Sequence, residues 1–459
     1  MVIRIAIAHV ADSRDDYFST RKPLLEEELQ ALDWMRAHAQ VLDSPILRST
    51  DQVRQFAEKV QQFGAHGLII HLPIWADPVL SVKLHSFIDL PILLVGNGRP
   101  DTSSTVGLLG AGGALDQIGA NPVRVFDHKR TESRKKVLAF VRAAGARQQL
   151  RGQTLGLFGG RSLGIFTAGA DATQWQRIFG VDIEYVDQLE IRRIGEELEP
   201  EEVIAHTGWL LDQVGSVKYG GIFSPEGLDR QMRSYIATSK LVDRYDFDFV
   251  GVKCQRELSD GYASQCVSHM LMNGVWDAGG QKPAMVHACE SDADGALTMQ
   301  ILNLLSGGKP TALLDIRWLN EDTGYWTLAN CGAIAASFFA TEKDAQGYSS
   351  LQLVPHVFGE GGGGSFSGFV SPQRATLARL CRRNGEYWMA IVPAEIQQVA
   401  AEQLERTTSA FPQVVVKAAA GYDFLEKFGS NHIHMVSGDY ADEVIAFCRL
   451  LDIPYQIWD

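Results

Sequence analysis

Three polar residues stand where apolar runs end: Glu290 in VHACESDADGAL, Asp315 in TALLDIRW and His432 in FGSNHIHMVSGD. Each follows a short hydrophobic stretch, which places it at a strand end facing a cleft. Two carboxylates and one imidazole can hold a hard divalent cation such as Mn²⁺ or Mg²⁺ and leave coordination positions open for a substrate. The same carboxylates can move protons. The competing reading is a set of helix caps and surface groups, the commoner fate of a lone acid or histidine near a strand end. His434, two residues after His432, and His356 in LVPHVFGEGGGG are further ligand candidates. On a strand, His432 and His434 share a face, so spacing alone leaves either as the ligand.

The elements that must position these groups alternate in the first two thirds of the chain. IRIAIAHV is a buried-strand run, residues 23–40 read as an amphipathic helix with Pro23 near its first turn, and AQVLDSP follows as a strand. A helix from Asp51 to Phe63 and the strands GLIIHLP and PILLVGN continue the pattern. A second series opens at RGQTLGLFGG and runs through VDIEYVDQ, FDFVGVKC, AMVHACE and TALLDIRW. The basic stretch FDHKRTESRKKVLAFVRAAGARQQLRGQ reads as a helical connection between the two series. Alternating strands and helices imply parallel sheets covered on both faces. After about residue 310, strand-like pieces such as SSLQLVPHVF, EYWMAIVPAEI and PQVVVKAAAG replace this pattern. The expected fold is α/β: two doubly wound Rossmann-like α/β domains, residues 1–150 and 151–308, then a mixed or antiparallel β-rich C-terminal domain, residues 309–459. Glu290 falls in the second, Asp315 and His432 in the third.

Bulk properties narrow the function classes. With 459 residues, the chain holds two to four domains at ~100–200 residues each. A formal net charge of −13 argues against a general nucleic-acid binder, which needs clustered Lys and Arg. No apolar stretch approaches the ~20 residues of a membrane span. Six cysteines without any CxxC pair suit a reducing compartment and indicate neither a zinc knuckle nor a redox motif. MVIRIAIAHV reads as a first strand without a cleavage region. The expectation is a cytoplasmic protein of enzyme size.

Gly-rich segments invite other readings. GLLGAGGALDQIG supplies Gly110, Gly112 and Gly113 but has Leu115 at the third position of the dinucleotide fingerprint, and GLFGGRSLG lacks the spacing. Close backbone approach at a strand-to-helix turn accounts for them better than NAD or ATP. EGGGGS, residues 360–365, reads as a flexible surface connection or a mobile active-site loop. Trp75, after IIHLPI, is rim packing or a stacking surface for a sugar, and Arg21, in the expected first strand-to-helix loop, is a solvated charge or a ligand contact.

Several segments in register resemble the L-fucose isomerase family. RGQTLGLFGGRSLGIFTAGADATQWQRIFGVDIEYVDQLEIRRI is similar to the second-domain entry of those enzymes. ACESDADGALTMQIL is similar to the segment with their metal-binding glutamate, LLDIRWLNED to that with the aspartate, and FGSNHIHMVSGDYADEVIAFCRLLDIPYQIWD to the closing segment with an Asn-His pair. The resemblance spans nearly the whole chain in the family's order. It implies Glu290, Asp315 and His432 as metal ligands, Asn431 beside the histidine, Trp75 as an aromatic reaching the substrate of a neighbouring subunit, and Arg21 as a looser match. Departures fall at the sugar contacts: Leu163 replaces a Met, Lys253 stands near a position usually held by Gln, and Cys331 stands where those enzymes tend to have Ser.

The resemblance implies a divalent-metal-dependent aldose–ketose isomerase working through a cis-enediol, with Glu290 and Asp315 as the acid–base groups. Mn²⁺ is the expected cation, with Mg²⁺ or Co²⁺ as substitutes. The expected partner is a small-molecule sugar, with neither nucleic acid nor membrane, in a homo-oligomer, hexamer or trimer, whose active sites are shared between subunits. An anionic substrate such as a sulfonated hexose would draw on Lys253 and Arg21. A sensor that kept the fold and lost turnover is the reading outside enzymes.

Overall fold

The run RIAIAH forms β1 (Arg4–His9), followed by β2 (Gln40–Asp43), β3 (Gly67–His71), β4 (Ile92–Val95) and β5 (Val123–Val125). All neighbours are parallel, in the order β2-β1-β3-β4-β5. Helices α1 (Asp15–Leu29), α2 (Thr50–Phe63), α3 (Pro78–Phe87) and α4 (Ser104–Gln117) connect them, and α5 (Thr131–Leu150) follows β5. Strand alternation explains why this sheet has two cores. Ala6 and Ala8 face one with Phe56, Leu68 and Leu108, while Ile5 and Ile7 face the other with Ile69, Leu93 and Phe140. This is a computed structural model, which describes residues 2–332, 334–398 and 412–459. It divides into two units: residues 1–149 with 442–450, and residues 150–441 with 451–459.

The second unit holds a parallel sheet and a barrel. Strands β6 (Thr154–Phe158), β7 (Asp182–Val186), β8 (Ser216–Val217), β9 (Phe249–Val252), β10 (Trp276–Asp277), β11 (Gly280–Gln281) and β12 (His287–Cys289) come first. With them run α6 (Ala172–Ile178), α7 (Leu189–Glu196), α8 (Pro200–Gln213), α9 (Pro225–Tyr245), α10 (Glu257–Gly261), α11 (Cys266–Asn273) and α12 (Ala293–Leu305). Four of these strands make the parallel sheet β12-β9-β6-β7.

Strands β13 (Thr311–Asn320), β14 (Tyr325–Ala329), β15 (Gln352–Pro355), β16 (Gly364–Phe369), β17 (Arg374–Arg383), β18 (Glu386–Ile396), β19 (Pro412–Ala418), β20 (His432–Ser437) and β21 (Tyr455–Ile457) make, with β8, a ten-stranded mixed sheet. Helices α13 (Tyr422–Lys427) and α14 (Ala441–Leu450) lie between its last strands in sequence. The antiparallel ring β18-β17-β20-β13-β14-β19 closes on itself through the β18–β19 pairing, which removes both free edges. Helix α12, ADGALTMQILNLL, is buried along nearly its whole length and packs on β9 and β12 of the parallel sheet and on β13, β17 and β20 of the barrel. Apolar residues on more than one face suit this two-sided burial, and buried Asp294 is paired with Arg382.

Four sequence expectations change. The helix expected over 23–40 begins at Asp15, holds Pro23 inside α1 and gives way to a 3₁₀ segment at Gln30–Ala37. Arg21 is therefore a helical residue, with its guanidinium over the Tyr17 ring, and not part of a strand-to-helix loop. Gly110, Gly112 and Gly113 lie inside α4 rather than in a turn. A Cβ at Gly107 would come within 3.3 Å of the Ala76 nitrogen, and one at Gly110 within 3.2 Å of Pro78, so the small residues let α4 pack against the Trp75 segment. The EGGGGS stretch is neither a flexible surface connection nor an exposed loop: Gly362, Gly363 and Gly364 are buried. Gly361 donates its N–H to Ser259 O, Gly363 to Ile222 O and Gly364 to Gln231 Oε1. A Cβ at Gly363 would meet Ser264 Oγ at 2.6 Å, so these glycines serve close backbone approach.

Candidate active site

Glu290 follows β12 directly, at the carboxyl end of the parallel sheet, where open α/β sheets place ligands. Its φ of 60° and that of Ser291, 51°, put two successive non-glycine residues in the left-handed region. Such positions cost on the order of 1–3 kcal/mol each and persist only where the surroundings hold them. Ser291 is held by its N–H to Val252 O, 3.1 Å, and its hydroxyl to Phe158 O, 3.2 Å. The turn ends in Asp292, whose carboxylate caps α12 by accepting from the Gly295 N–H.

Asp315 and His432 come from the barrel, directly opposite each other on the antiparallel pair β13–β20. His432 Nε2 lies 3.3 Å from Glu290 Oε2 and 3.5 Å from Asp315 Oδ1. Its other nitrogen, Nδ1, is 2.7 Å from Asp292 Oδ2. Asp292 also receives Arg379 through two bonds of 2.5 and 3.0 Å, and both side chains are buried. Burial alone would raise the Asp292 pKa, but the Arg379 charge and the His432 hydrogen bond hold it far below the usual carboxylate range. An ionised carboxylate only accepts, so His432 Nδ1 carries the proton and Nε2 is the nitrogen turned to Glu290 and Asp315.

The donor set fits a divalent cation. Two carboxylates each lie within 3.5 Å of one imidazole nitrogen, and the imidazole is oriented from behind by a carboxylate, the usual arrangement of metal-ligating histidines. Without a cation, these groups compensate one another. Burial pulls the His432 pKa down, but the hydrogen bonds to Asp292 and Glu290 raise it to about 10. Burial lifts the Asp315 pKa to about 6, His432 opposing and Glu290 adding to the rise.

His434 shares the buried face but sits deeper, on β20 beneath α12, where a Cβ added to Gly295 would come 2.6 Å from its Nε2. Desolvation keeps it neutral, with its pKa well below the ordinary value. Asn431 is exposed just before β20, and its carbonyl accepts from Ile316 N–H at 3.1 Å. Lys253 follows β9 at the same sheet edge, but its ammonium is spent on Glu257, 2.6 Å away. Trp75 and Arg21 belong to the first unit, both half-buried. A cavity of about 590 Å³ opens along the carboxyl ends of β6 and β7, lined by Gly159, Tyr185, Gln188, Arg192 and Tyr262 among others. Sequence reasoning passed over Asp292 and Arg379; the one local signal for Asp292 was its helix-capping context, S-D-A-D-G.

Comparison with known proteins decides the family. Residues 12–152 match the first N-terminal domain of L-fucose isomerase and residues 328–459 its C-terminal domain. The chain belongs to the L-fucose isomerase family. It is 22% identical to the L-fucose isomerase of Clostridium perfringens over 409 residues, covering 70% of this chain and 68% of that one. It is 22% identical to the L-fucose isomerase of Haemophilus influenzae over 511 residues, covering 94% and 86%. To the sulfoquinovose isomerase of Priestia aryabhattai it is 20% identical over 448 residues, 94% of each. Membership of the L-fucose isomerase family makes the chain an intramolecular oxidoreductase of the sugar-isomerase class, an enzyme rather than a sensor. Among the described residues, no helix is long and apolar enough to cross a membrane.

Proposed function

We propose that the chain is a divalent-metal-dependent aldose–ketose isomerase whose reaction passes through a cis-enediol. The observation that carries this reading is the convergence of Glu290 and Asp315 on His432 Nε2, with Asp292 fixing the ring from behind. Glu290, Asp315 and His432 would hold the cation, and a set rich in oxygen donors favours Mn²⁺, with Mg²⁺ or Co²⁺ as substitutes. When bound, the cation supplies Lewis-acid polarisation of the sugar's carbonyl and hydroxyl oxygens. One of the two carboxylates removes the C2 proton and returns it to C1, while the other carries the hydroxyl proton from O2 to O1. Glu290 and Asp315 fill these two roles between them. Positioned acid–base groups of this kind contribute ~10²–10⁴-fold. Asn431 at the barrel rim and Lys253 at the sheet edge are proposed as substrate contacts.

The reading extends to a homo-oligomer, a hexamer or trimer, in which Trp75 and Arg21 serve the site of a neighbouring subunit. The reading includes a cytoplasmic location, a reducing compartment that six free cysteines suit. The substrate is an uncharged aldose on the chemistry of the Lys253–Glu257 pair, which leaves Lys253 little charge for an anion. A sulfonated hexose is the second reading, favoured by the end-to-end similarity to a sulfoquinovose isomerase. A panel of aldoses and anionic hexoses, assayed with Mn²⁺ for ketose formation, tests both. Turnover of neutral aldoses alone supports the first, turnover of sulfonated hexoses alone the second, and no ketose from any sugar defeats the function.

A further inference from the structure

Four of the six cysteines gather beside the carboxylate site, although they are far apart in sequence. Cys266 opens α11, Cys289 ends β12, Cys331 follows β14, and Cys254 follows β9. The sulfur atoms of Cys266 and Cys331 and a ring nitrogen of His356 lie within 4.8 Å of one another. The Cys289 thiol also hydrogen-bonds to Cys331. We propose that Cys266, Cys331 and His356 form a thiolate–imidazole site for Zn²⁺, distinct in ligand chemistry from the carboxylate site at Glu290, Asp315 and His432.

The surrounding chain is built to bring these atoms together. A Cβ at Gly332 would lie 2.5 Å from the Cys266 Cβ, so only glycine lets the Cys331 turn approach α11. The Cys331 carbonyl is fixed by the Ser365 hydroxyl, 2.9 Å. The His356 N–H is fixed by Gly363 O, 3.2 Å. Both anchors stand at the end of the buried tetraglycine stretch, which thereby sets two of the three ligands.

Ligand chemistry selects the ion. His356 Nδ1 lies 2.7 Å from Phe358 O. The Phe358 N–H also points to this nitrogen, 3.2 Å away; the shorter contact, to a carbonyl that only accepts, favours the proton on Nδ1 and Nε2 as the coordinating nitrogen. Hydrogen bonds from Cys266 and Cys289 draw the Cys331 thiol toward the thiolate, burial opposing them and His356 adding to the effect. Thiolate sulfur with imidazole nitrogen suits tetrahedral Zn²⁺ and suits Mn²⁺ or Mg²⁺ poorly. Zn–S bonds of about 2.3 Å and Zn–N bonds of about 2.0 Å span separations inside the observed range. Cys289 lies outside this three-ligand group, as a hydrogen-bond partner of Cys331.

The test uses the full-length reduced protein, with Mn²⁺ present to occupy the carboxylate site, titrated anaerobically with Co²⁺ as a spectroscopic stand-in for Zn²⁺. Only sulfur ligation gives thiolate-to-cobalt charge-transfer absorption, so the carboxylate site is silent in this readout. The expected result is a band that saturates at one equivalent and is bleached by Zn²⁺. It should persist in Glu290→Gln and Cys448→Ala and disappear in Cys266→Ser and Cys331→Ser. Zn²⁺ affinity should fall at least about 100-fold in either serine variant, since even outer hydrogen-bond partners of a ligand act on a 10–100-fold scale. No charge-transfer band in the wild type, or an unchanged band in the Cys266→Ser/Cys331→Ser double variant, overturns the site. Should the serine variants fail to fold, zinc X-ray absorption on the wild type loaded with one equivalent decides: sulfur neighbours near about 2.3 Å support the site, and a purely nitrogen and oxygen shell overturns it.

Discussion

Asp292 and His432 are joined across 140 residues of sequence by a 2.7 Å hydrogen bond from Nδ1 to Oδ2, and that bond decides which imidazole nitrogen faces Glu290 and Asp315. Arg379 completes the arrangement by keeping Asp292 ionised. Asp292→Asn should therefore weaken Mn²⁺ binding about 10–100-fold, the scale of a lost outer partner. It also leaves the buried Arg379 charge uncompensated, a loss on the order of 3–5 kcal/mol. Isothermal titration beside chemical denaturation separates the two effects, and wild-type affinity in the folded variant would show that the bond does not orient a ligand.

The two C-terminal histidines should behave differently. His432→Ala is expected to lose the cation entirely. His434→Ala removes a neutral ring packed under α12 and should cost about 1–3 kcal/mol of stability while leaving metal content near normal. Elemental analysis of both purified variants checks this. Retention of metal by His432→Ala would remove it from the ligand set.

In the metal-free protein His432 holds its proton to about pH 10, against an ordinary value near 6.5. A raised pKa contributes stability that is fully present below pH 6.5 and is lost as pH rises through about 10. EDTA-treated protein should thus lose stability across that window, and His432→Gln should lose less. Cation binding must displace the same proton, so Mn²⁺ affinity should climb with pH through the window by up to about tenfold per unit, with one proton released per ion. Buffer-dependent calorimetry measures that proton; an affinity independent of pH would contradict it.

Proton transfer by Glu290 and Asp315 predicts deuterium at C1 of the ketose when turnover occurs in D₂O. Glu290→Gln and Asp315→Asn should each lower kcat by about 10²-fold or more. Rates must be compared at equal metal loading. A shielded base can return the original proton, so retained C2 hydrogen is informative only beside the variants. Retention together with near-normal kcat in both metal-loaded variants would refute the acid–base assignment.

Gly363→Ala places a methyl 2.6 Å from Ser264 Oγ at a φ of 127° and should destabilise the protein by about 1–3 kcal/mol. Gly160→Ala has open space and ordinary φ, and should stay within about 0.5 kcal/mol of wild type. Equal melting temperatures for the two variants would restore the view of the tetraglycine stretch as a flexible connection.

The strand runs, their alternation with helices up to about residue 310 and the change of texture after it were readable because burial imposes periodicity on local sequence. Glu290 was readable as the residue after the apolar run that becomes β12, whereas Asp315 lies within β13 and His432 opens β20 rather than ending a strand. Only the folded chain decided between His432 and His434 on geometric grounds: both lie on one strand face, and the choice rests on which of them Asp292, Glu290 and Asp315 surround. The start of α1 was misread because Pro23 signals a helix beginning, yet α1 carries it in its interior. The tetraglycine stretch was misread because composition reports backbone freedom and is blind to a neighbour 2.6 Å away. Cys266, Cys331 and His356 carry no shared motif, and CxxC spacing records only ligands that share a turn. Their convergence comes from α11, β14 and β15 meeting in space, a tertiary relationship that no local window of sequence contains.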